Sequence, residues 1–303
     1  YRMAKRGLAL DHIHFASPPY TSERAKLKVK ALAQKITPYT GSSNLFVVPY
    51  TKPQEYIRDN APDVLFTVLM RRSMMRIANV IAKKQGCEAL VTGESLAQVA
   101  SQTVKALQCT DAAQDLPILR PLIGMDKTEI VETARHINTF ETSILPYEDC
   151  CTIFTPPHPK IRPELAEILE AEAAMQYRSM AAAAQADGVS LTLVAGYQDA
   201  DTRQDAYEAR VQTYRDKRKS EEEAARLAAT IQPAANANEH GTGYAADILS
   251  ADDPQQDTSF AETRAYEWLT AYAAEYGFIL RYPEDRQAAT GVVFEPWHWR
   301  YVG

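Results

Sequence analysis

Short apolar runs alternate with amphipathic helical runs through the first half of the chain, and this order limits the possible folds more than any other feature. Strands are predicted at 8–15, 44–48 and 89–92, and helices at 22–36, about 65–86 and 127–136. Strands that alternate with helices form a parallel sheet with helical crossovers. We therefore predict a doubly wound α/β sheet for residues 1–172. Ligands of such sheets bind at the carboxyl ends of the strands.

The pattern changes after a helical, Ala- and Glu-rich run at 163–186. A strand (SLTLVAGY), a charged helix at about 203–230 and a Gly-containing loop follow, and aromatic-rich strands end the sequence. This order is typical of an α+β domain with a central antiparallel sheet. We place a domain boundary inside the helical run, which divides the chain into domains 1–172 and 173–303. The second domain is long enough to bury a core of its own.

The charge also differs between the two halves. Residues 1–110 carry 16 Lys and Arg against 7 Asp and Glu, whereas residues 176–303 carry 12 against 20. A basic domain can bind polyanions by neutralising phosphates, and an acidic one is a poor candidate for nucleic acid. No apolar run approaches the ~20 residues that span a bilayer. Without a signal peptide or a secreted disulfide framework, the sequence predicts a cytoplasmic protein.

The second half contains a candidate metal site. His240 and Asp247 lie in the segment NEHGTGYAADI, and Glu295 and His298 lie in EPWHWRYVG. Two imidazoles and one carboxylate form the donor set of a catalytic zinc site that keeps one position for water. A second carboxylate beside the metal, here Glu295, can accept the proton of that water. The alternative is that these four are ordinary structural or surface residues whose types coincide by chance.

The flanking motifs NEHGTGYAAD, EYGFILRYPED and EPWHWRYVG make residues 176–303 similar to the VanY-like D-alanyl-D-alanine carboxypeptidases, a family of zinc peptidases. The resemblance implies that His240, Asp247 and His298 bind Zn²⁺ and that Glu295 is the general base. It also implies hydrolysis of the terminal D-Ala–D-Ala bond of peptidoglycan stem peptides, a reaction that members of this family usually carry out outside the membrane.

Two positions depart from the pattern of that family. Asn238 replaces a Ser, and the family's Ser-Gly-Tyr-Arg reads Ala195-Gly196-Tyr197-Gln198. The resemblance assigns that Arg to binding the substrate and stabilising the oxyanion, and the loss of such a donor lowers the rate roughly 10²–10³-fold. It places Gln198 and Gln204 at the substrate, and Arg203 lies close by in the sequence.

Three stretches of the first half carry candidate chemistry, each with a structural alternative. Gly93, Glu94 and Ser95 lie where a predicted strand meets a predicted helix, which indicates a phosphate site or an ordinary helix cap. The run MRRSMMR at 70–76 forms either a basic helix face that binds phosphate or RNA, or an ordinary helix with one face in the core and the other in solvent. Of the adjacent Cys150 and Cys151, either one is a nucleophile or both are buried, unreactive cysteines.

Five strings make residues 1–165 similar to the PP-loop domain of tRNA sulfurtransferase, the ThiI family of 4-thiouridine synthases that is also linked to thiamine synthesis. They are IHFASPPYTSERAK, VLMRRSMMRIA, LVTGESLAQVASQT, LRPLIGMDKTEI and ILPYEDCCTIFTPPHP. The resemblance implies tRNA as partner and an adenylation site for ATP and Mg²⁺. It implies the following roles: ATP binding by His14, Phe15, Arg71, Gly93 and Gln102, sulfur transfer by Cys150, and Asp126 and Lys127 near the reacting centre.

The family's Ser-Gly-Gly-x-Asp-Ser loop, which grips the pyrophosphate, would lie upstream of Tyr1, together with the first strand and the RNA-binding domains. We therefore expect the first domain to bind ATP weakly and not to thiolate tRNA. The leading hypothesis is a zinc-dependent carboxypeptidase fused to a truncated sulfurtransferase domain. The alternatives are an ATP-dependent tRNA sulfurtransferase with an accessory C-terminal domain, and a non-catalytic fusion of two degenerate domains.

Overall fold

The computed structural model describes residues 1–234, 236–252 and 254–303. The chain divides into two compact units, Tyr1–Leu165 and Ala166–Gly303. The predicted domain boundary at residue 172 falls inside the helix that begins at Leu165, and it stays a prediction. Within the described part of the chain, no helix is both long enough and apolar enough to cross a bilayer.

The first unit alternates strands and helices, as its sequence predicts. Its elements are β1 (His12–Ala16), α1 (Glu23–Thr40), β2 (Leu45–Pro49), α2 (Thr51–Asn60), α3 (Phe66–Lys84), β3 (Leu90–Val91), α4 (Val104–Asp111), β4 (Ile118–Leu119), α5 (Lys127–His136) and α6 (Phe140–Ser143). Strand β1 pairs with β2, and β3 pairs with β4, both in parallel. Because parallel neighbours need long crossovers, helices connect the strands of each pair.

The prediction of a helix directly after Gly93–Ser95 is wrong. Helix α4 begins only at Val104. The segment turns inward because Glu94, which is 3% exposed, forms ion pairs with Arg71 and Arg120. Both alternatives relied on a helix N-terminus at these three residues, and α4 does not supply one there.

The basic run at 70–76 lies in α3, and the structure favours the core alternative for part of it. Met70 and Arg72 are fully buried, and Met75 is also buried. The Arg72 guanidinium donates a hydrogen bond to the carbonyl oxygen of Cys109. A buried arginine that is satisfied by a backbone carbonyl stabilises the packing of α3 rather than a surface for RNA.

The second unit is built on an antiparallel sheet. Its elements are α7 (Leu165–Ala186), β5 (Leu191–Ala195), α8 (Ala200–Asp216), α9 (Glu221–Ala229), β6 (Ala245–Ser250), α10 (Arg264–Tyr272), β7 (Phe278–Leu280), α11 (Gln287–Thr290) and β8 (His298–Tyr301). The strand order is β5-β6-β8-β7. The single charged helix predicted at 203–230 is two helices, because Arg218 adopts a positive φ of 61° and Ser220 caps α9.

All six residues of β6 are buried, because the strand lies between β5 and β8 and both of its faces are covered. Successive side chains of a strand point to opposite faces, so Ala246 and Ile248 lie on the face opposite to Asp247. Helices α7 and α10 contribute to the core with the sheet. This core includes Met180, Ile248, Leu249, Phe260, Leu269, Phe278 and Trp299.

Candidate metal centre

Three local structures bring the predicted metal ligands to one end of the sheet. Asp247 lies on β6 and is paired in register with His298, the first residue of β8. His240 lies in the 3-10 turn Glu239–Thr242, just before β6. Gly243 ends this turn with a φ of 75°, and a Cβ there would lie 2.6 Å from the carbonyl oxygen of Ala166. A side chain at this position would therefore displace the turn that carries His240.

The three side chains converge on one point. His240 Nε2 lies 3.4 Å from Asp247 Oδ1, and His298 Nδ1 lies 3.1 Å from the same oxygen. One ligand atom from each residue lies within 4.8 Å of the other two, and all three residues are buried. Nitrogen and oxygen ligands of a tetrahedral Zn²⁺ lie about 3.3 Å apart, so the two measured separations fit that ion.

The hydrogen bonds on the outer atoms of two ligands leave their inner atoms free. His240 Nδ1 donates to the carbonyl oxygen of Gly196 at 2.6 Å, which leaves a lone pair on Nε2. Gln256 Nε2 donates to Asp247 Oδ2 at 3.0 Å. Asp247 Oδ1 is buried and accepts no hydrogen bond. A buried carboxylate oxygen that accepts no hydrogen bond is unfavourable unless a cation binds it. The donor set therefore fits a metal ion.

The electrostatics of the cluster also favour positive charge. Burial alone would raise the pKa of Asp247, but the imidazoles of His240 and His298 lower it to about 2. Burial alone would lower the pKa of His298, but the carboxylates of Asp247, Glu239 and Glu295 raise it to about 9. The carboxylates thus hold a positive charge among them, which a metal ion can supply as well as a proton.

Glu295 lies beside the three ligands. The turn Glu295–His298 is closed by a hydrogen bond from the His298 backbone N–H to the Glu295 carbonyl oxygen, 3.1 Å long. Glu295 Oε2 consequently lies 3.5 Å from His298 Nδ1. Burial raises the pKa of Glu295 to about 7, and the nearby imidazoles oppose this only in part. A carboxylate of this kind can exchange a proton near neutral pH.

A cleft of about 950 Å³ opens over the cluster. Of the substrate-binding residues suggested by the sequence, Gln198 lines it, and its backbone N–H donates to the carbonyl oxygen of His240. The Arg203 guanidinium donates to the carbonyl oxygens of Asp199 and Asn238. Gln204 donates to Glu208, one turn further along α8.

The sequence missed several residues of the site. Arg210 and Gln256 line the cleft, and Glu239 lies close to His298. The carbonyl oxygen of Gly196 fixes the His240 ring. Glu239 directly precedes His240, which was the one usable signal. Backbone carbonyls and isolated Gln or Arg residues leave no local pattern to identify them.

In the first unit, the predicted ATP-site residues lie on and around the strands. His14 lines a cavity of about 210 Å³ together with Ser22 and Lys26. The ring of Phe15 contacts that of Tyr50 edge to face, with centroids 5.3 Å apart. Both residues lie on β1, the strand paired with β2.

The remaining residues predicted for this site are held by neighbouring groups. Arg71 pairs with Glu94, and Gln102 Oε1 accepts a hydrogen bond from the Ser95 backbone N–H at 3.3 Å. Gly93 is exposed directly before Glu94. The two residues predicted near the reacting centre, Asp126 and Lys127, form the N-terminus of α5, where Asp126 and Glu129 make a capping box.

The two adjacent cysteines differ in environment. Cys150 is 6% exposed, and Cys151 is exposed. Burial raises the pKa of Cys150 to about 12. Its carbonyl oxygen accepts a hydrogen bond of 2.7 Å from Gln54 Nε2. The Cys150 thiol is therefore protonated at neutral pH in this structure.

Two family models match parts of the chain. Residues 1–177 match the family model described as thiamine biosynthesis protein (ThiI), and residues 166–303 match that of D-alanyl-D-alanine carboxypeptidase (VanY). Both resemblances predicted from the sequence are thereby confirmed. The predicted combination of an α/β sulfurtransferase-like domain with an α+β carboxypeptidase-like domain is confirmed as well.

A probable tRNA sulfurtransferase of Thermoanaerobacter sp. (strain X514) is 52% identical over 178 residues, which are 59% of this chain and 47% of that protein. The chain thus spans less than half the length of this relative. A crystal structure of a 4-thiouridine synthetase–RNA complex with bound ATP is 40% identical and has a TM-score of 0.54, covering 56% of this chain and 45% of that one. A structure of the vancomycin resistance D,D-pentapeptidase VanY in complex with Zn(II) is 32% identical and has a TM-score of 0.39. The match covers 43% of this chain and 71% of that one.

Proposed function

Through residues 1–177 the chain belongs to the thiamine biosynthesis protein (ThiI) family, and we propose that residues 166–303 add a zinc-dependent D-alanyl-D-alanine carboxypeptidase to it. Both domains are those of enzyme families. The observation that carries the peptidase proposal is the convergence of His240, Asp247 and His298, whose ligand atoms lie within 4.8 Å of one another. The free lone pair of His240 and the unpaired oxygen of Asp247 support it.

In this proposal the three residues hold Zn²⁺, which when bound supplies Lewis acidity that lowers the pKa of a water and polarises a carbonyl. Glu295 is the general base and accepts a proton from the attacking water. Its carboxylate lies next to the ligands, and burial brings its pKa to about 7, which suits a base near neutral pH. The same carboxyl group then donates the proton to the leaving amino group.

The proposed substrate is a peptidoglycan stem peptide ending in D-Ala–D-Ala. Gln198 lines the cleft and can donate its amide N–H to the substrate. We propose that Arg203 and Gln204 also bind the substrate, as the sequence suggests. The guanidinium of Arg203 binds the carbonyl oxygen of Asn238, two residues before His240, and so steadies the turn below the cleft.

The test is to measure the zinc content and the D-Ala released by the whole chain from a peptide ending in D-Ala–D-Ala. We expect one zinc per chain, loss of zinc in His298→Ala, and no release from the matching L-Ala–L-Ala peptide. As a control, His136→Ala removes an imidazole from helix α5 in the first unit and retains the zinc. A chain without zinc, or equal zinc in both variants, would reject the proposal.

A second function is favoured by the ThiI match. We propose that residues 1–177 bind ATP with Mg²⁺, and tRNA, with Cys150 as the sulfur-bearing residue. The ATP would lie among His14, Phe15, Arg71, Gly93 and Gln102. The similarity to a 4-thiouridine synthetase–RNA complex with bound ATP, at a TM-score of 0.54, supports this site.

Calorimetric titration of the chain with ATP and Mg²⁺ tests the second function. The sequence predicts weak binding, so a dissociation constant in the micromolar range would contradict that expectation. A titration without any heat above dilution would reject ATP binding. The variant His14→Ala, in the cavity beside β1, should weaken any binding that is observed.

A further inference from the structure

The second ring nitrogen of His298 faces a carboxylate. His298 Nδ1 lies near Asp247, whereas Nε2 lies 3.9 Å from Glu239 Oε2. Both His298 Nε2 and Glu239 Oε2 are buried, and neither makes a hydrogen bond. Two buried polar atoms without partners are costly, and here a donor and an acceptor that could satisfy each other lie side by side.

Two arginines hold the Glu239 carboxylate by its other oxygen. Arg281 Nε donates to Glu239 Oε1 at 2.6 Å, and Arg300 Nη1 donates to the same atom at 2.5 Å. The guanidinium of Arg300 also lies over the ring of Tyr244, 5.3 Å from its centroid. Because both arginines bind Oε1, Oε2 is left facing the His298 ring.

We propose that Glu239 is a positioning residue whose Oε2 accepts the Nε2–H of His298 and thereby directs Nδ1, without its proton, at the metal. The inference rests on the proposed function, because it takes His298 as a metal ligand. A neutral imidazole carries one N–H, and the partner of that N–H decides which nitrogen is free to bind a metal. The separation of 3.9 Å is about 1 Å longer than a hydrogen bond, so the proposal requires the two atoms to move about 1 Å closer when zinc binds.

The two imidazoles would then bind the metal through opposite nitrogens. His240 presents Nε2 because the Gly196 carbonyl oxygen takes its Nδ1–H. His298 presents Nδ1 because Glu239 takes its Nε2–H. The partner of His240 is a neutral carbonyl, and the partner of His298 is a carboxylate.

The decisive variant is Glu239→Gln. Its single side-chain oxygen would stay with Arg281 and Arg300, so its NH₂ group would face His298 Nε2. An amide that donates to Nε2 stabilises the tautomer with the proton on Nδ1, the nitrogen that the metal needs. We therefore expect zinc affinity, measured by competition with a chromophoric chelator, to fall roughly 10–100-fold.

The matched control is Glu262→Gln. Glu262 also lines the cleft and is exposed, so the variant removes the same charge without touching a ligand. We expect its zinc affinity to stay close to that of the unaltered chain. Equal losses in Glu239→Gln and Glu262→Gln would overturn the positioning role while leaving the zinc site intact. An unaltered chain that binds no zinc would reject the proposed function and this inference together.

A measurement on the unaltered chain keeps the inference testable if Glu239→Gln does not fold. In the zinc-loaded chain with ¹⁵N-labelled histidine, NMR identifies which ring nitrogen of His298 carries the proton. The His298 signals are assigned by their loss in His298→Asn. A proton on Nε2 supports the positioning role, and a proton on Nδ1 overturns it.

Discussion

Asp247 and His298 face each other in register across β6 and β8, with Asp247 Oδ1 3.1 Å from His298 Nδ1. The two residues are far apart in the sequence, and the pairing of two antiparallel strands brings them together. Asp247 lies on the central, fully buried strand, so its position is set by the core of the domain. The pairing of β6 and β8 therefore fixes the positions of two of the three candidate ligands, and the turn Glu239–Thr242 carries the third.

Removing the base should separate turnover from metal binding. In Glu295→Gln the side chain keeps its shape but can no longer accept a proton. We expect D-Ala release from a D-Ala–D-Ala peptide to fall roughly 10²–10⁴-fold while the zinc content stays unchanged. The control Glu284→Gln, also on the cleft, should retain activity. Full activity in Glu295→Gln would remove Glu295 from the reaction.

Restoring a positive charge at residue 198 should raise activity. Gln198 lines the cleft, and its contact with His240 is made by its backbone, so the side chain is free to change. We expect Gln198→Arg to raise kcat/KM for D-Ala–D-Ala peptides roughly 10²–10³-fold, because a cation stabilises a developing oxyanion. The control Gln212→Arg, at an exposed residue of α8 that is not assigned to the substrate, should have little effect. An unchanged kcat/KM in Gln198→Arg would show that the charge is not needed there.

The hydrogen bond from Gln256 to Asp247 Oδ2 should tune metal affinity. The variant Gln256→Ala leaves this carboxylate oxygen without its 3.0 Å donor. We expect zinc affinity to fall roughly 10-fold in a chelator competition assay. Gln287→Ala, which removes another exposed amide from the cleft, is the matched control. If both variants bind zinc equally well, Gln256 does not orient Asp247.

Two glycines offer a paired test of the turn that carries His240. Gly243 and Gly291 have φ angles of 75° and 72°, but only Gly243 has a backbone oxygen within 2.6 Å of where a Cβ would lie. We expect Gly291→Ala to lower the free energy of unfolding by roughly 1–2 kcal/mol from backbone strain alone. Gly243→Ala should cost more and should also weaken zinc binding, as thermal melting with and without zinc will show. Equal losses of stability would mean that the turn relaxes without strain.

The two adjacent cysteines should react with alkylating reagents at different rates. Burial raises the pKa of Cys150 to about 12, so its thiolate fraction, and with it the rate, should rise about tenfold per pH unit up to that pKa. At pH 8 we expect iodoacetamide to modify the exposed Cys151 first, as measured by mass spectrometry of the digested chain. Modification of Cys150 at the same rate at pH 8 would contradict this environment.

Much of the fold could be predicted from local patterns. Helix α5 has the predicted bounds 127–136, and the strand SLTLVAGY contains β5. The two resemblances rest on contiguous sequence motifs, which can be recognised without knowing how the chain packs. The helix expected after Gly93–Ser95 failed because the inward turn of Glu94 depends on Arg71 and Arg120, and no periodicity near Glu94 records those partners.

The sequence alone therefore determined most of the elements, the resemblance to two families and the four candidate residues of the metal centre. Only the tertiary structure decided which atoms of these residues meet. The register of β6 and β8 places Asp247 against His298, and the neighbours Gly196, Gln256 and Glu239 determine which ligand atoms face inward. The physical reason is one of range, because helix and strand periodicity is encoded within a few residues, whereas ring orientation depends on hydrogen-bond partners that folding brings from distant parts of the chain.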